Sequence, residues 1–141
     1  MSLKAFLAEN ALKSETVKFA ASKRFIGEDG KPMEWELQAI TSQEDEEIRK
    51  ECTKRVQVVG KKGQYTKELD ADKYTGMLAV HCTVFPDLHN AELQDSYRVK
   101  SADALLKTML LAGEYADYLV KVQEICGFNE DFDEKVEEAK N

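Results

Sequence analysis

The apolar residues of this chain fall into two rhythms, one of period two and one of helical period, and together they predict a string of short elements. Leu3, Phe6 and Leu7 recur at helical spacing, which predicts a short amphipathic helix ending near Asn10. Val17, Phe19 and Ala21 then alternate with Lys18, Ala20 and Ser22, and Met33, Trp35, Leu37 and Ala39 alternate with Glu34, Glu36 and Gln38. Each run reads as a half-buried strand. Between them, Asp29-Gly30 supplies the positive φ of a hairpin turn, and Pro32 cannot donate to a ladder, so the two strands are expected to pair as a hairpin.

Thr41-Ser42-Gln43-Glu44 has the form of a capping box, followed by acids at the positive end of a helix and by Arg49, Lys50, Lys54 and Arg55 near its negative end. A helix from Ser42 to Thr53 follows, with Ile48 and Cys52 as its narrow apolar stripe. Val56 to Val59 and Gln64 to Thr66 flank Gly60-Lys61-Lys62-Gly63, a second small hairpin or a basic loop. From Asp70 the pattern turns helical, with Tyr74, Met77, Leu78, His81, Val84 and Phe85 on one face until Pro86 stops it. A short helix or turn from Ala91 to Tyr97 places Leu93 and Tyr97 four residues apart. Ser101 caps a helix whose stripe is Leu105, Leu106, Met109 and Leu110; Gly113 breaks it, and Tyr115, Leu119, Val122 and Ile125 continue on a new helix to a cap at Gly127. The last segment keeps Phe128, Phe132 and Val136 at i, i+4 and i+8 among charged residues, a terminal helix in need of a surface.

The expected class is therefore α+β and mainly helical: an N-terminal β-hairpin, with the second small hairpin as an option, packed against about four to six helices. A length of 141 residues suits one domain over 1–141, with 128–141 loosely attached. Apolar residues at 43% and charged residues at 33% give a foldable chain with a heavily charged surface. The formal charge of −7 argues against nucleic acid as partner. That charge is uneven, with seven Lys or Arg against Glu51 from Arg49 to Lys67, and six acids against Lys135 and Lys140 from Gly127 to Asn141. Such polarity steers partners or lets the tail fold back on the basic stretch, although two solvated faces are the commoner reason for it. Cys52, Cys82 and Cys126 form an odd, widely spaced set, as expected of reduced thiols. Neither a signal segment nor a membrane span is expected, which predicts a cytoplasmic protein.

Chemistry-bearing residues are sparse. His81, Cys82 and His89 are the one metal-like grouping, but adjacent helical residues point about 100° apart and no CxxC or HxxxH accompanies them. Neither a nucleophile with its base nor a phosphate-binding loop is visible, so catalysis and cofactors are not expected. Trp35, Phe6, Phe128 and Phe132 read more often as core than as recognition anchors, yet Phe128, Phe132 and Val136, at the chain end, are the candidate protein-binding residues.

Several strings in order resemble the tail assembly chaperones of PBSX-type prophages, the XkdN-like family. They are Ser22-Lys23-Arg24-Phe25, Asp29-Gly30-Lys31-Pro32, Glu34-Trp35-Glu36-Leu37, Arg49 to Lys54, Glu92 to Tyr97, and Ala104 to Leu110 through Gly113 to Asp117. The resemblance implies a chaperone that binds the long helical tape measure protein and holds it soluble in the host cytoplasm until tail-tube subunits polymerise round it. It also implies a protein absent from the mature virion, with the tail tube protein and self-association as further partner candidates. A structural completion or connector protein of the finished tail is the alternative. Many relatives are also made in a longer, frameshifted form. The ending Ala139-Lys140-Asn141 is compatible with a slippery GCA AAA AAC, which would make this the short product.

Overall fold

The computed structural model describes residues 2–128. A 3₁₀ turn at Lys4–Phe6, then β1 (Val17–Phe19) and β2 (Trp35–Leu37), open the chain. The expected N-terminal helix is thus a single 3₁₀ turn, and Leu3, Phe6 and Leu7 are exposed among the described residues. β1 and β2 are antiparallel, with Val17 opposite Leu37 and Phe19 opposite Trp35. The Asp29-Gly30 turn forms at the tip of their connection: Gly30 takes φ 77°, Lys31 N donates to Asp29 Oδ1 at 3.0 Å, and Ile26 bridges Pro32.

The helix α1 (Ser42–Glu51) starts where Thr41 Oγ1 accepts from Glu44 N at 3.2 Å and ends at Cys52. Ile48 and Cys52 are its buried points, as the stripe predicts. β3 (Thr53–Gln57) and β4 (Tyr65–Leu69) then form a five-residue antiparallel ladder, so the basic stretch is an ordered hairpin longer than the pattern alone suggests. Gly60 and Gly63, at φ 77° and 82°, turn its tip. The ribbon stands off the body: in its two strands only Val56 is even partly covered. It is rooted where Asp70 N donates to Cys52 O at 2.8 Å, and Asp70 in turn caps α2 (Ala71–Cys82) by accepting from Lys73 N.

α2 ends earlier than the apolar run. Thr83–Phe85 is a strand, β5, that pairs antiparallel with β2, placing Trp35 and Leu37 at the centre of a three-stranded sheet ordered β1-β2-β5. A β-branched pair and an aromatic beside an unpaired strand edge favour the ladder over another helical turn. The buried face of α2 is correspondingly Tyr74, Gly76, Leu78, Ala79 and Cys82, and His81 faces solvent rather than the core. α3 (Ala91–Ser96), capped by Asn90, leads to α4 (Ala102–Met109), capped by Ser101, and to α5 (Ala112–Cys126). The break between α4 and α5 falls at Leu110 and Leu111, and Gly113 lies inside the first turn of α5. There Glu114 Oε1 accepts from Leu111 N at 2.9 Å, setting the cap of the new helix two residues before the glycine.

One core joins these elements, with Trp35, Leu37, Ile48, Leu78, Leu105, Leu106 and Val122 almost wholly excluded from water. Tyr118, which the expected stripe of α5 passed over, is 1% exposed and stacks edge-on to Trp35 at 5.5 Å between ring centroids, with Phe19 at 5.8 Å. Burying each such side chain stabilises the fold by roughly 1.5–3 kcal/mol. The α+β architecture, mainly helical with an N-terminal hairpin, is the one expected.

Candidate interaction surfaces

Phe128 is positioned by the end of α5. Gly127 takes φ 77°, its N–H donates to Glu124 O at 3.1 Å, and Phe128 N donates to Gln123 O at 3.1 Å, the paired bonds of a Schellman cap. That cap turns Phe128 towards the first turn of α1. With Cys126 it lines a hollow of about 120 Å³ whose other wall is Ile40, Thr41, Ser42 and Asp45. Its ring stays 41% exposed, an apolar surface at the edge of the body rather than a core residue. Phe132 and Val136, the other two candidates, lie outside the described residues.

Other exposed apolar side chains run against the sequence reading, which placed Phe6 in the core. Phe6 and Leu12 are 81% and 98% exposed in the N-terminal segment, and Val84 and Phe85 stand out from β5, an edge of the sheet. Phe85 borders a shallow depression with Lys18, Met33 and Glu34. The exposure of Val84 and Phe85 was hidden because the run continues the helical period of α2.

The third surface is basic. Between the last turns of α1 and the root of the β3–β4 ribbon lies an open cleft of about 490 Å³, lined by Arg49, Lys50, Thr53, Lys54, Arg55 and Lys67, with Glu46 at its margin. Its α1 wall is held by polar contacts that cross to α2. Arg49 Nε donates to Asp45 Oδ2 at 2.9 Å, its guanidinium lies 4.5 Å over the Tyr74 ring, and the Tyr74 hydroxyl donates to Asp45 Oδ1. Burial first, and the bond to Asp45 second, push the Tyr74 phenol up to about 12. The bond to Asp45 also raises the already high Arg49 value, so this cation is fixed in place and in charge.

The metal-like grouping does not converge. His81 and His89 are exposed while Cys82 is fully buried, and among the described residues no three His, Cys, Asp or Glu side chains are placed to hold an ion. Cys82 Sγ lies 3.6 Å from Cys126 Sγ, both thiols free, and burial pushes the Cys82 thiol well above its usual value. No described helix is long and apolar enough to cross a membrane.

The molecule is a small α+β body with Trp35 and Tyr118 packed at its centre and with exposed apolar and basic surfaces around it. The match to known families is then specific: residues 3–140 fit the family of Phage XkdN-like tail assembly chaperone proteins, and the chain belongs to that family. It is 33% identical over 137 residues to the phage-like element PBSX protein XkdN of Bacillus subtilis (strain 168), covering 96% of this chain and 91% of that one. It is 34% identical, with the same coverage, to the protein YqbN of the same organism. The crystal structure of the protein yqbn superposes with a TM-score of 0.78 at 30% identity, covering 92% of this chain and 98% of that chain.

Proposed function

We propose that this chain is a chaperone of phage or prophage tail assembly that binds the tape measure protein and keeps it soluble while the tail is built. The observation that carries the reading is the family match along nearly the whole chain, from residue 3 to residue 140. The physical support is the character of the surface. A long coiled-coil-prone client aggregates through its apolar stripes, and a small acidic protein that covers them with exposed apolar side chains keeps the pair dispersed by charge. Binding energy alone suffices for such masking, without nucleotide or metal.

Phe128, Phe132 and Val136 are the client contacts in this proposal. Phe128 supports it by standing half out of the body at the point where the segment begins. The protein acts in the host cytoplasm and leaves before the particle matures. Co-expression with the tape measure protein tests the central claim: Phe132→Asp should abolish co-purification while leaving the circular dichroism spectrum unchanged. Undiminished co-purification with a folded variant overturns the assignment of these residues. Mass spectrometry of finished particles should not find the chain; a fixed copy number there would make it a completion or connector protein instead.

A further inference from the structure

The cleft between α1 and the β3–β4 ribbon carries more positive charge than the fold needs. Arg55 and Lys67 are directly opposite in the ladder, so both side chains leave the same face of the ribbon, and both line the cleft. Like charges directly opposite one another oppose strand pairing. Arg49 is paired with Asp45, and Lys50 lies 3.7 Å from Glu46, but Lys54, Arg55 and Lys67 form no ion pair among the described residues. An anionic occupant between Arg55 and Lys67 would turn this repulsion into attraction.

The chain itself carries such an occupant. Its final stretch, 129–141, has six acids from Glu130 to Glu138 against Lys135 and Lys140. The described chain ends at Phe128, beside the first turn of α1, and the cleft opens beside the last turns of that same helix. Ten helical residues separate the two ends by about 15 Å. The thirteen residues after Phe128 reach up to about 43 Å when extended, so the acids can enter the cleft without any movement of the body.

We propose that the acidic C-terminal segment, residues 129–141, passes along α1 and docks its carboxylates in the cleft, with Arg55 and Lys67 as the main anchors. The carboxylates are what the cleft recognises, leaving Phe132 and Val136 for other contacts. This inference goes beyond the chaperone reading and does not rest on it, and its test needs no client.

Zero-length carbodiimide cross-linking of the full chain, followed by peptide mapping, reads the contact directly. Lys50, Lys54 and Lys67 should link to acids within 130–138. In an equal mixture of ¹⁵N-labelled and unlabelled protein these links should join chains of the same label only. Raising salt from about 0.01 M to about 1 M shortens the Debye length from ~30 to ~3 Å and should reduce the links by about fivefold or more. Arg55→Glu is the informative variant, because it places an opposite charge across from Lys67 and so keeps the ribbon paired while removing an anchor. It should lower the links from Lys50 and Lys54 to the tail by a similar factor, with the far-ultraviolet spectrum unchanged. Links that join differently labelled chains would assign the cleft to a second copy's tail and overturn the proposal. So would the absence of tail links, or tail links that ignore both salt and Arg55→Glu.

Discussion

Tyr118 offers a test of the core in which the order of three variants, and not only their sizes, follows from the direction of two hydrogen bonds. Its hydroxyl lies 2.6 Å from Thr83 Oγ1, which lies 2.7 Å from Ala79 O. A carbonyl can only accept, so the Thr83 hydroxyl donates to Ala79 and the Tyr118 hydroxyl donates to Thr83. Tyr118→Phe therefore removes a donor and leaves Thr83 bonded, at a cost of about 0.5–1.5 kcal/mol. Thr83→Val takes away the acceptor and leaves the Tyr118 hydroxyl, in a side chain 1% exposed, without a partner; that costs about 1–3 kcal/mol. Tyr118→Ala empties the space beside Trp35 and Phe19 and should cost about 3–5 kcal/mol. The decisive construction is the double variant, Tyr118→Phe with Thr83→Val, which removes both partners together. It should be more stable than Thr83→Val alone by about 1 kcal/mol. With a urea slope of about 1.5 kcal/mol/M, that is a midpoint about 0.7 M higher. If the double variant instead falls below Thr83→Val by the full cost of Tyr118→Phe, the two hydroxyls are uncoupled and the donor assignment is wrong.

Two further outcomes follow from polar groups near α2. The Tyr74 phenol is raised from 10.0 to about 12 by burial and then by Asp45, so the folded chain holds that proton more tightly than the unfolded chain does. Its contribution is whole below about pH 10 and is lost as the pH climbs through about 12; urea midpoints across this window should fall less steeply in Tyr74→Phe than in the parent. A Cβ at Gly76 would sit 2.5 Å from Asp103 Oδ1, a buried oxygen with no hydrogen-bond partner among the described residues. Gly76→Ala should therefore destabilise the parent despite a helix-propensity gain of about 1 kcal/mol, and should stabilise a chain already carrying Asp103→Ala, as thermal melts of the four proteins would show.

What the sequence made legible was local. The Asp29-Gly30 turn, the caps at Thr41 and Ser101, and the glycine cap at Gly127 each depend on residues within a few positions, and each forms. Thr83–Phe85 was misread as helix because its true partner, β2, is some fifty residues away in the chain, and periodicity carries no information about such pairing. The same blindness hid Tyr118, whose burial depends on Trp35 and Phe19 meeting it from two other strands. Gly113 looked like a helix breaker, but the first turn of a helix tolerates glycine, and Glu114 bonding back to Leu111 N set the start. Of the candidate site, Phe128 lies at the edge of the body as a chain-end aromatic should. The basic run was visible as charge, whereas the register that sets Arg55 against Lys67 was not.

That register bears on why the ribbon exists at all. A two-stranded hairpin contributes little stability by itself, and one with its side chains in water and two cations face to face contributes less. The body does not need it as packing: Asp70 N bonds to Cys52 O at its root, so α1 and α2 are already joined where the ribbon leaves and returns. Nor is the cleft an accident of loose side chains, since its α1 wall is set by Arg49, Asp45 and Tyr74. A rigid wall, a projecting ribbon and an unbalanced charge between them are together what the proposed docking of an acidic segment would use, and links that ignore salt and Arg55→Glu would leave them without that use.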